Sequence, residues 1–214
     1  MTSGNRPDYS DYVAHFCKDK PPFALSHSEE TEVHDIAQLR AKERLVAILE
    51  QQRILATSMP WKTGHAVAFT ECPWGSLLTH AKRYSSYGVG FTKAHLYAAH
   101  GGPVFYVRAD LYNKQEWDPE VRKFVTPFNP DYAPAAMKQV AWAEKKPIDY
   151  THEREWRVPH HFTFRLDEVQ FVIVDTYKDV ATFPKQLKNQ IGREKFLIMD
   201  VYRRIEVLWP VHKL

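Results

Sequence analysis

Cysteine is scarce in this sequence, since Cys17 and Cys72 are the only two in 214 residues. Two cysteines cannot supply the disulfide framework on which small secreted domains depend. The sequence also lacks an uninterrupted run of about 18 apolar residues, as a transmembrane helix requires. Its N-terminal residues, MTSGNRPDYSDY, contain no apolar stretch like that of a secretory signal. We therefore expect a cytoplasmic protein with reduced thiols and no membrane partner.

Glycine is also scarce, with 8 residues, and the glycine-rich motifs of several enzyme classes are missing. The sequence contains no GxxxxGK[ST] phosphate loop, no GxGxxG dinucleotide fingerprint and no GxSxG nucleophile elbow. It also lacks HExxH and the HxE…PCxxC pattern of zinc deaminases. The 11 histidines are too scattered to give a four-ligand zinc set at a normal spacing. We therefore expect no metal cofactor.

The composition is that of a globular protein, with 44% hydrophobic and 26% charged residues, which excludes a disordered or coiled-coil chain. The length suits one domain. We expect residues 1–214 to form it, with a loose segment at 1–11 and an inserted loop at 112–130. The net charge of +3 is too small to indicate nucleic acid binding by itself.

The hydrophobic pattern places most helices in the first two thirds of the chain and most strands in the last third. Helices are predicted at about 36–52 (capped by Asp35), 76–83, 93–99 and 135–145. Strands are predicted at about 12–17, 65–69, 87–91, 103–108, 153–158, 169–175, 196–201 and 205–209. Because helices and strands do not alternate regularly, the sequence favours an α+β fold with a mixed or mainly antiparallel sheet.

The strongest local signal is the segment Glu153-Arg154-Glu155-Trp156-Arg157. If this segment is extended, Glu153, Glu155 and Arg157 share one face, and Trp156 faces the core. Two carboxylates on an open face suit acid–base or electrostatic catalysis. A solvated surface strand with alternating charges would have the same pattern, so the residues alone leave both interpretations open.

Three weaker signals accompany this segment. In Tyr87-Gly88-Val89-Gly90-Phe91, two glycines leave one face of a strand bare, which indicates that a ligand or a second backbone packs closely there. Phe69-Thr70-Glu71 ends an apolar strand in polar residues, and His15 lies at the end of the first predicted strand.

The order of these motifs resembles the bacterial abortive-infection family AbiGi and the related uncharacterised DUF2971 group, over residues 12–175. The motifs that carry the resemblance are Ala14-His15-Phe16, Phe69-Thr70-Glu71, Tyr87-Gly88-Val89-Gly90-Phe91, Pro103-Val104-Phe105-Tyr106 and Glu153-Arg154-Glu155-Trp156-Arg157. AbiGi proteins are associated with phage resistance, and the family has been described as having an antitoxin role. The resemblance therefore implies a part in antiviral defence, with an antitoxin or chaperone as a protein partner.

A wider resemblance is to ADP-ribosyltransferases, in which an early-strand His, a mid-chain Tyr and a late-strand Glu are similar to His15, Tyr87 and Glu155. The DarT-like toxins, which modify nucleic-acid bases, share an early His followed by a helix. Glu153-x-Glu155 is similar to the E-x-E of the branch that modifies arginine and nucleic acids. This resemblance implies an ADP-ribosyltransferase-like fold of mixed and antiparallel sheets flanked by helices. It also implies a toxin that consumes NAD+, with nucleic acid as the acceptor.

The resemblance also implies where NAD+ would bind. His15 would hydrogen-bond a ribose hydroxyl, and Tyr87 or Phe91 would stack on nicotinamide. Gly88 and Gly90 would give the ring room. Two further residues, Thr70 and Arg157, complete the expected binding set.

Two glutamates would carry the chemistry that the resemblance implies. Glu155 would accept a hydrogen bond from the ribose and stabilise the oxocarbenium-like charge that develops as nicotinamide leaves. Glu153 would orient or deprotonate the acceptor. Arg157 on the same face would hold a phosphate or hold the carboxylates in place.

This transferase hypothesis makes a geometric prediction. His15 and Glu155 should face one cleft, within roughly 10 Å of each other, and their placement on opposite faces of the sheet would contradict the hypothesis. Two alternatives stay open: a non-enzymatic antitoxin-like or nucleic-acid-binding partner, and a metal-dependent nuclease that uses Asp149 with Glu153 and Glu155.

Overall fold

The computed structural model describes residues 9–19, 39–71, 78, 81–133 and 147–208. A mixed sheet of eight strands forms the centre of these residues, and helices cover both of its faces. The predicted α+β class with a mixed, mainly antiparallel sheet is therefore confirmed.

The strands are short, and most of their residues are buried. They are β1 (Tyr12–Phe16), β2 (Arg53–Ile54), β3 (Thr57–Ser58), β4 (His65–Glu71), β5 (Gly88–Thr92), β6 (Gly102–Pro103), β7 (Phe105–Arg108), β8 (Val125–Phe128), β9 (Glu155–Val158), β10 (Phe162–Thr163), β11 (Phe171–Val174) and β12 (Phe196–Ile198). The central sheet has the order β12-β11-β5-β1-β4-β9-β6, with β3 also on β4. Within it, β11 and β12 are parallel and the other described neighbours are antiparallel.

The helices connect these strands or follow them. They are α1 (Ala41–Gln51), α2 (Lys93–Ala98), α3 (Ala109–Tyr112), α4 (Pro119–Arg122), α5 (Tyr177–Thr182), α6 (Lys185–Ile191) and α7 (Met199–Leu208). Leu78 and residues 81–83 are also helical, within the range predicted at 76–83. No helix in the described part of the chain has the length and apolarity needed to cross a bilayer.

The hydrogen-bond register assigns each side chain of the sheet to one of two faces, because successive residues of a strand point to opposite sides. Val13 and Phe91 lie on the face that α1 covers, and they belong to the larger hydrophobic cluster. Ala14 and Ile173 lie on the opposite face, where they pack in a second cluster with Met199 of α7. These two sides are called the α1 face and the α7 face below.

Helix α1 begins later than the sequence predicts. The predicted range is 36–52, but the residue before Ala41 has extended backbone angles. Asp19 Oδ1 accepts a hydrogen bond from the Ala41 N–H at 3.0 Å, so a residue from another segment satisfies this helix end. The expected cap Asp35 and the helix predicted at 135–145 lie outside the described residues.

The C-terminal part of the chain is helical where strands are predicted. The sequence favours strands at about 196–201 and 205–209 because Val, Ile and Leu are frequent there, but α7 begins directly after β12. Met199 is fully buried, and an Asp200–Arg204 ion pair of 3.5 Å spans one helical turn, as the i, i+4 spacing of a helix allows. The last residue of the second range lies outside the described residues.

The segment 112–130, predicted as an inserted loop, contains regular structure. Helix α4 and strand β8 lie inside it, and β8 pairs in parallel with β7. Asp118 caps α4 by accepting from two backbone N–H groups, and Pro119 suits the first helical position. Residues 105–128 thus form a small lobe, named the β7–β8 lobe below.

The described end of the segment predicted to be loose, 1–11, is held by backbone contacts. The Ser10 N–H donates to Glu71 Oε1 at 3.2 Å, and the Asp11 carbonyl accepts from the Lys93 N–H at 2.9 Å. The rest of the range lies outside the described part of the chain, so the looseness of 1–11 as a whole stays a prediction.

Gly88 and Gly90 of β5 lie where neighbouring atoms occupy the space that a side chain would need. A Cβ on Gly88 would stand 2.7 Å from the carbonyl oxygen of His15 on the adjacent strand. A Cβ on Gly90 would overlap the ring of Phe171. Of the two explanations open from the sequence, a ligand or a close approach within the protein, the structure shows the second.

We predict that Gly88→Ala lowers the free energy of unfolding by about 1–3 kcal/mol, as overpacking does in a dense core. Gly102→Ala is the matched control, because a Cβ there would meet the ring of Phe124 at an ordinary contact distance of 3.7 Å. This control should be neutral or slightly stabilising. Urea denaturation of both variants measures the difference, and equal stability would contradict the proposed clash.

Candidate functional site: two carboxylates on the α7 face

His15 and Glu155 lie on opposite faces of the sheet. Ala14 is paired with Thr70, and Thr70 with Glu155, so these three residues share the α7 face. His15 follows Ala14 directly in β1 and therefore points to the α1 face, where its ring contacts Phe69 at 5.8 Å between centroids. The prediction that His15 and Glu155 share one cleft is wrong.

His15 is half-buried on the α1 face, and its ring makes specific contacts there. Its Nδ1 lies 2.9 Å from the carbonyl oxygen of Ala68, and because a carbonyl only accepts, Nδ1 carries the proton. Burial lowers the pKa of His15 to about 4, although the hydrogen bond to Ala68 acts in the opposite direction. The imidazole is therefore neutral near pH 7, and its donor is already used.

Tyr87 and Phe91 also lie on the α1 face, away from Glu155. Phe91 is fully buried, and its ring contacts Phe162 and Phe164 with centroids 4.9 and 4.8 Å apart. The Tyr87 hydroxyl is hydrogen-bonded to Asp179, and burial, followed by this negative charge, raises the pKa of Tyr87. Neither ring is placed to stack on a ligand beside Glu155.

Glu155 and Arg157 form a buried ion pair on β9. Arg157 is 1% exposed. Its Nε donates to Glu155 Oε1 at 2.8 Å, and its Nη2 donates to Oε2 at 3.1 Å. A guanidinium has five N–H donors, and the remaining three meet the carbonyls of Lys123 and Val125 and the hydroxyl of Thr126.

This ion pair attaches the β7–β8 lobe to the central sheet. The acceptors from Lys123, Val125 and Thr126 belong to the lobe, while Glu155 belongs to β9. The Glu155 side chain is only 13% exposed, so it does not lie on an open face. The alternation predicted for β9 is nevertheless confirmed, because Trp156 packs against the core on the other side, although it is only partly buried.

Glu153 lies outside the strand that was predicted to contain it. A 3₁₀ turn covers Thr151–Glu153, and Arg154 has a left-handed φ of 44°, so β9 starts at Glu155. Glu153 is nevertheless close to the α7 face. Its Oε1 accepts from the Tyr84 hydroxyl at 2.6 Å and lies 3.0 Å from Arg83 Nη1.

Tyr84 and Tyr106 both lie close to the carboxylates of Glu153 and Glu155. Burial raises the pKa of Tyr84 most, and the negative charges of Glu153 and Glu155 raise it further. Burial also raises the pKa of Tyr106 most, and the same two carboxylates again raise it further. The Tyr106 hydroxyl donates to the Tyr150 carbonyl at 2.8 Å. The four side chains therefore lie near one another.

A cation completes this region. Burial lowers the pKa of Lys18, whereas the charges of Glu153 and Glu155 oppose that shift, so the ammonium also lies near both carboxylates. We name the set Glu153, Glu155, Tyr84, Tyr106 and Lys18 the carboxylate site. It offers hydrogen-bond acceptors, hydroxyl groups and one ammonium, which together suit a polyhydroxylated or phosphorylated ligand.

Of the residues predicted from the sequence, three strand residues meet on the α7 face: Thr70, Glu155 and Arg157. Glu153 joins them from its turn. His15, Tyr87 and Phe91 lie on the opposite face, and the two glycines contact the protein itself, as described above.

Several site residues were missed from the sequence. Tyr106 stands at the end of a quoted motif, and Tyr84 lies shortly before the glycine-containing strand, so both had a weak positional signal. Lys18 and Thr126 had none, because only tertiary packing brings them to β9.

The metal-dependent nuclease of the second alternative would use Asp149 with Glu153 and Glu155. In the part of the chain that the structure describes, no group of three or more His, Cys, Asp and Glu side chains is placed to hold a metal ion. Asp149, one of the expected ligands, accepts hydrogen bonds from both the N–H and the hydroxyl of Thr151.

Replacing Glu155 with Gln should destabilise the protein by about 3 kcal/mol, because it leaves a buried guanidinium without its counter-charge. A carboxylate on an open face would cost far less, about 0.5 kcal/mol or below, but the Glu155 side chain is only 13% exposed. Asp167→Asn is the matched control, since Asp167 pairs with Arg165 at the exposed surface. This substitution should leave the free energy of unfolding nearly unchanged. Chemical denaturation at neutral pH measures both, and a Glu155→Gln protein as stable as the control would contradict the role of the ion pair.

Stability should fall as pH decreases through the range in which His15 titrates. A histidine in the unfolded chain has a pKa of about 6.5, above the value of about 4 for His15 in the folded protein. Between about pH 4 and 6.5 the unfolded chain therefore binds more protons at this histidine than the folded protein does. As the pH falls through this range, His15 lowers the free energy of unfolding by about 1–3 kcal/mol. Denaturation across this range should show a flatter pH dependence for His15→Asn than for the wild-type protein. A His15→Asn profile parallel to wild type would show that this histidine is not the cause.

Comparison of the chain with protein-family models, with curated proteins and with solved structures gave no match. The resemblance to AbiGi and to ADP-ribosyltransferases thus depends on the motifs alone. The function proposed below depends on the contacts of the residues just described.

Proposed function

We propose that this protein cleaves the bond between nicotinamide and ribose in NAD+ and transfers ADP-ribose to an acceptor, with Glu153 and Glu155 as its catalytic residues. The observation that carries the proposal is geometric: two hydrogen bonds from Arg157 hold Glu155 on the α7 face, and Glu153 of the preceding turn accepts from the Tyr84 hydroxyl. His15 has no part in it. Its position on the α1 face contradicts the transferase hypothesis as predicted from the sequence, in which His15 and Glu155 hold one ribose, so the proposal depends on the two carboxylates without a histidine.

Glu155 is suited to stabilise positive charge that develops on a ribose. When the bond to the nicotinamide nitrogen breaks, its electron pair leaves with neutral nicotinamide, and the ribose carbon acquires oxocarbenium-like charge. A fixed carboxylate stabilises such charge without reorganisation during the reaction. The two hydrogen bonds from Arg157 hold the Glu155 carboxylate in one orientation, which is what preorganisation requires.

Glu153 is suited to handle the acceptor. Its carboxylate accepts from Tyr84, and its second oxygen can take a proton from an incoming nucleophile as that nucleophile bonds to the ribose carbon. This is general-base catalysis by a positioned carboxylate. The raised pKa values of Tyr84 and Tyr106 keep both hydroxyls protonated near pH 7. Each single O–H already donates, to Glu153 and to the Tyr150 carbonyl, so toward a ligand the two oxygens can accept hydrogen bonds from ribose hydroxyls.

The biological setting of the proposal follows from the sequence resemblance. An NAD+-dependent ADP-ribosyltransferase toxin in an abortive-infection system would act in the cytoplasm and would require an antitoxin or another means of control. The acceptor proposed is nucleic acid, as in the DarT-like toxins. The four motif strands β9, β4, β1 and β5 are consecutive neighbours in one sheet, which is compatible with this resemblance.

A second candidate, a non-enzymatic partner in the same kind of system, is favoured by one observation. All five donors of Arg157 are used within the protein, and both Glu155 oxygens accept from it. An ion pair that only stabilises the fold would make the same contacts. In that case the carboxylates would stabilise the fold and contact no substrate.

Kinetics of two glutamine variants should decide between these candidates. We expect the wild-type protein to release nicotinamide from NAD+, and Glu155→Gln to lower kcat/KM by about 10²-fold or more, as loss of transition-state electrostatics does. Glu153→Gln should slow transfer to an acceptor by about 10²–10⁴-fold. Both variants are assayed under conditions in which denaturation curves show that they are folded, because Glu155→Gln is expected to be less stable than the wild-type protein.

Asp167→Asn is the matched control and should retain wild-type kinetics, since its ion pair is exposed. Wild-type protein that releases no nicotinamide with mixed RNA, DNA and protein acceptors would contradict the proposal and favour the non-enzymatic partner. Folded variants as active as the control would remove Glu153 and Glu155 from the mechanism.

A further inference from the structure

A continuous row of aromatic rings and cations extends beside Glu153. The Lys18 ammonium lies 4.7 Å from the centre of the Tyr84 ring. The Arg83 guanidinium lies 5.8 Å from the Tyr84 ring and 5.2 Å from the Tyr150 ring. The Tyr150 ring is in turn 6.3 Å from that of Trp61. We name these five residues the aromatic–cation row.

The row is accessible to a ligand along part of its length. The Arg83 side chain is 40% exposed, and the rings are only partly buried. Lys18 as a whole residue is exposed to solvent, although its ammonium is partly desolvated where it lies over the Tyr84 ring. Arg83 also contacts His152 Nε2 at 2.6 Å, and His152 is exposed. A partly solvated cation between two rings presents both a charge and flat apolar surfaces.

Trp61 holds an unusual backbone conformation at the end of the row. Its φ is 60° and its ψ is 23° inside a short 3₁₀ turn, a left-handed conformation that bulky side chains rarely adopt. The Tyr112 hydroxyl donates to the Trp61 carbonyl at 3.4 Å, so contacts from the β7–β8 lobe help hold it. Such conformations cluster at ligand-binding sites.

We propose that the aromatic–cation row binds single-stranded nucleic acid and delivers one of its bases to Glu153. The alternation of rings and cations fits this ligand class, because bases stack on tyrosine, tryptophan and arginine planes while phosphates contact the cations. A duplex would hide its bases from such a row. As a statement about the acceptor, this inference rests on the proposed function, but the binding itself does not require NAD+.

The position of the row relative to the carboxylate site gives the order of events. Arg83 contacts Glu153 directly at 3.0 Å, and Tyr84 belongs to both sets. A base stacked on the Tyr84–Arg83 part of the row would therefore bring its amino or ring nitrogen next to the Glu153 carboxylate. A proton taken by Glu153 would leave that nitrogen free to bond to the ribose carbon of NAD+, as nicotinamide departs with the electron pair.

Binding of a labelled single strand without NAD+ tests the row by itself. The probe is fluorescein-labelled oligothymidine of about 12 nucleotides, within the span of single-stranded binding sites, together with the corresponding oligouridine. We expect anisotropy to show binding by wild-type protein, and Arg83→Gln and Tyr150→Leu each to raise Kd about tenfold. Arg83→Gln should also flatten the dependence of log Kd on log salt by about 0.7, the contribution of one phosphate contact.

Matched controls are Arg108→Gln and Tyr97→Leu, which remove an exposed cation and an exposed ring elsewhere and should leave Kd unchanged. Ultraviolet crosslinking of a 4-thiouridine strand to wild-type protein should label peptides that contain Tyr84 or Tyr150, a readout that does not depend on variant folding. Crosslinks confined to other peptides, or a Kd equally affected by the controls, would overturn the proposal.

The two proposals fail in different ways. Release of nicotinamide without any oligonucleotide binding, or ADP-ribose transferred only to protein, would leave the carboxylate chemistry standing and overturn the row as the acceptor site. Oligonucleotide binding that depends on Arg83 and Tyr150, without NAD+ cleavage, would support the row and contradict the transferase.

Discussion

The buried guanidinium of Arg157 is the interaction on which the arrangement of the α7 face depends. It reaches from β9 to three acceptors of the β7–β8 lobe and to both oxygens of Glu155. A buried charge is tolerated only when such partners are complete. The lobe, the strand and the carboxylate are therefore positioned by one side chain, and Glu155 cannot be moved without disturbing the other two.

The ion pair between Arg157 and Glu155 also explains how Glu155 can stabilise the fold and still take part in the proposed chemistry. Two hydrogen bonds fix the Glu155 carboxylate, yet each carboxylate oxygen has a second lone pair that a ligand hydroxyl can use. Glu153 differs, because a tyrosine and a partly exposed arginine bind it from a short turn. The two acids of one motif are thus held with different rigidity, which suits one to stabilising charge and the other to exchanging a proton.

Sequence patterns predicted the sheet better than the site. The alternation around Trp156 and the order of apolar segments identify β1, β4, β5, β9 and β11, because local periodicity determines which residues enter the core. Periodicity does not reveal where β9 begins, and Glu153 was misplaced because Arg154 adopts a left-handed conformation. His15 was assigned to the wrong face for a related reason: the shared face of two strands depends on their register, which no single segment encodes.

The position of β1 at the centre of the sheet has a consequence for how the chain folds. Its neighbours in the sheet, β4 (His65–Glu71) and β5 (Gly88–Thr92), lie far from β1 (Tyr12–Phe16) along the chain. Strand β9, which carries Glu155, follows later still. Non-local pairings of this kind require the closure of long loops before any contact compensates for their entropy. During synthesis β1 is made well before its partners, so the sheet forms late. The two carboxylates of the α7 face come together only once most of the chain has been made, so a ribosome-bound fragment that stops before β9 lacks the acidic pair altogether.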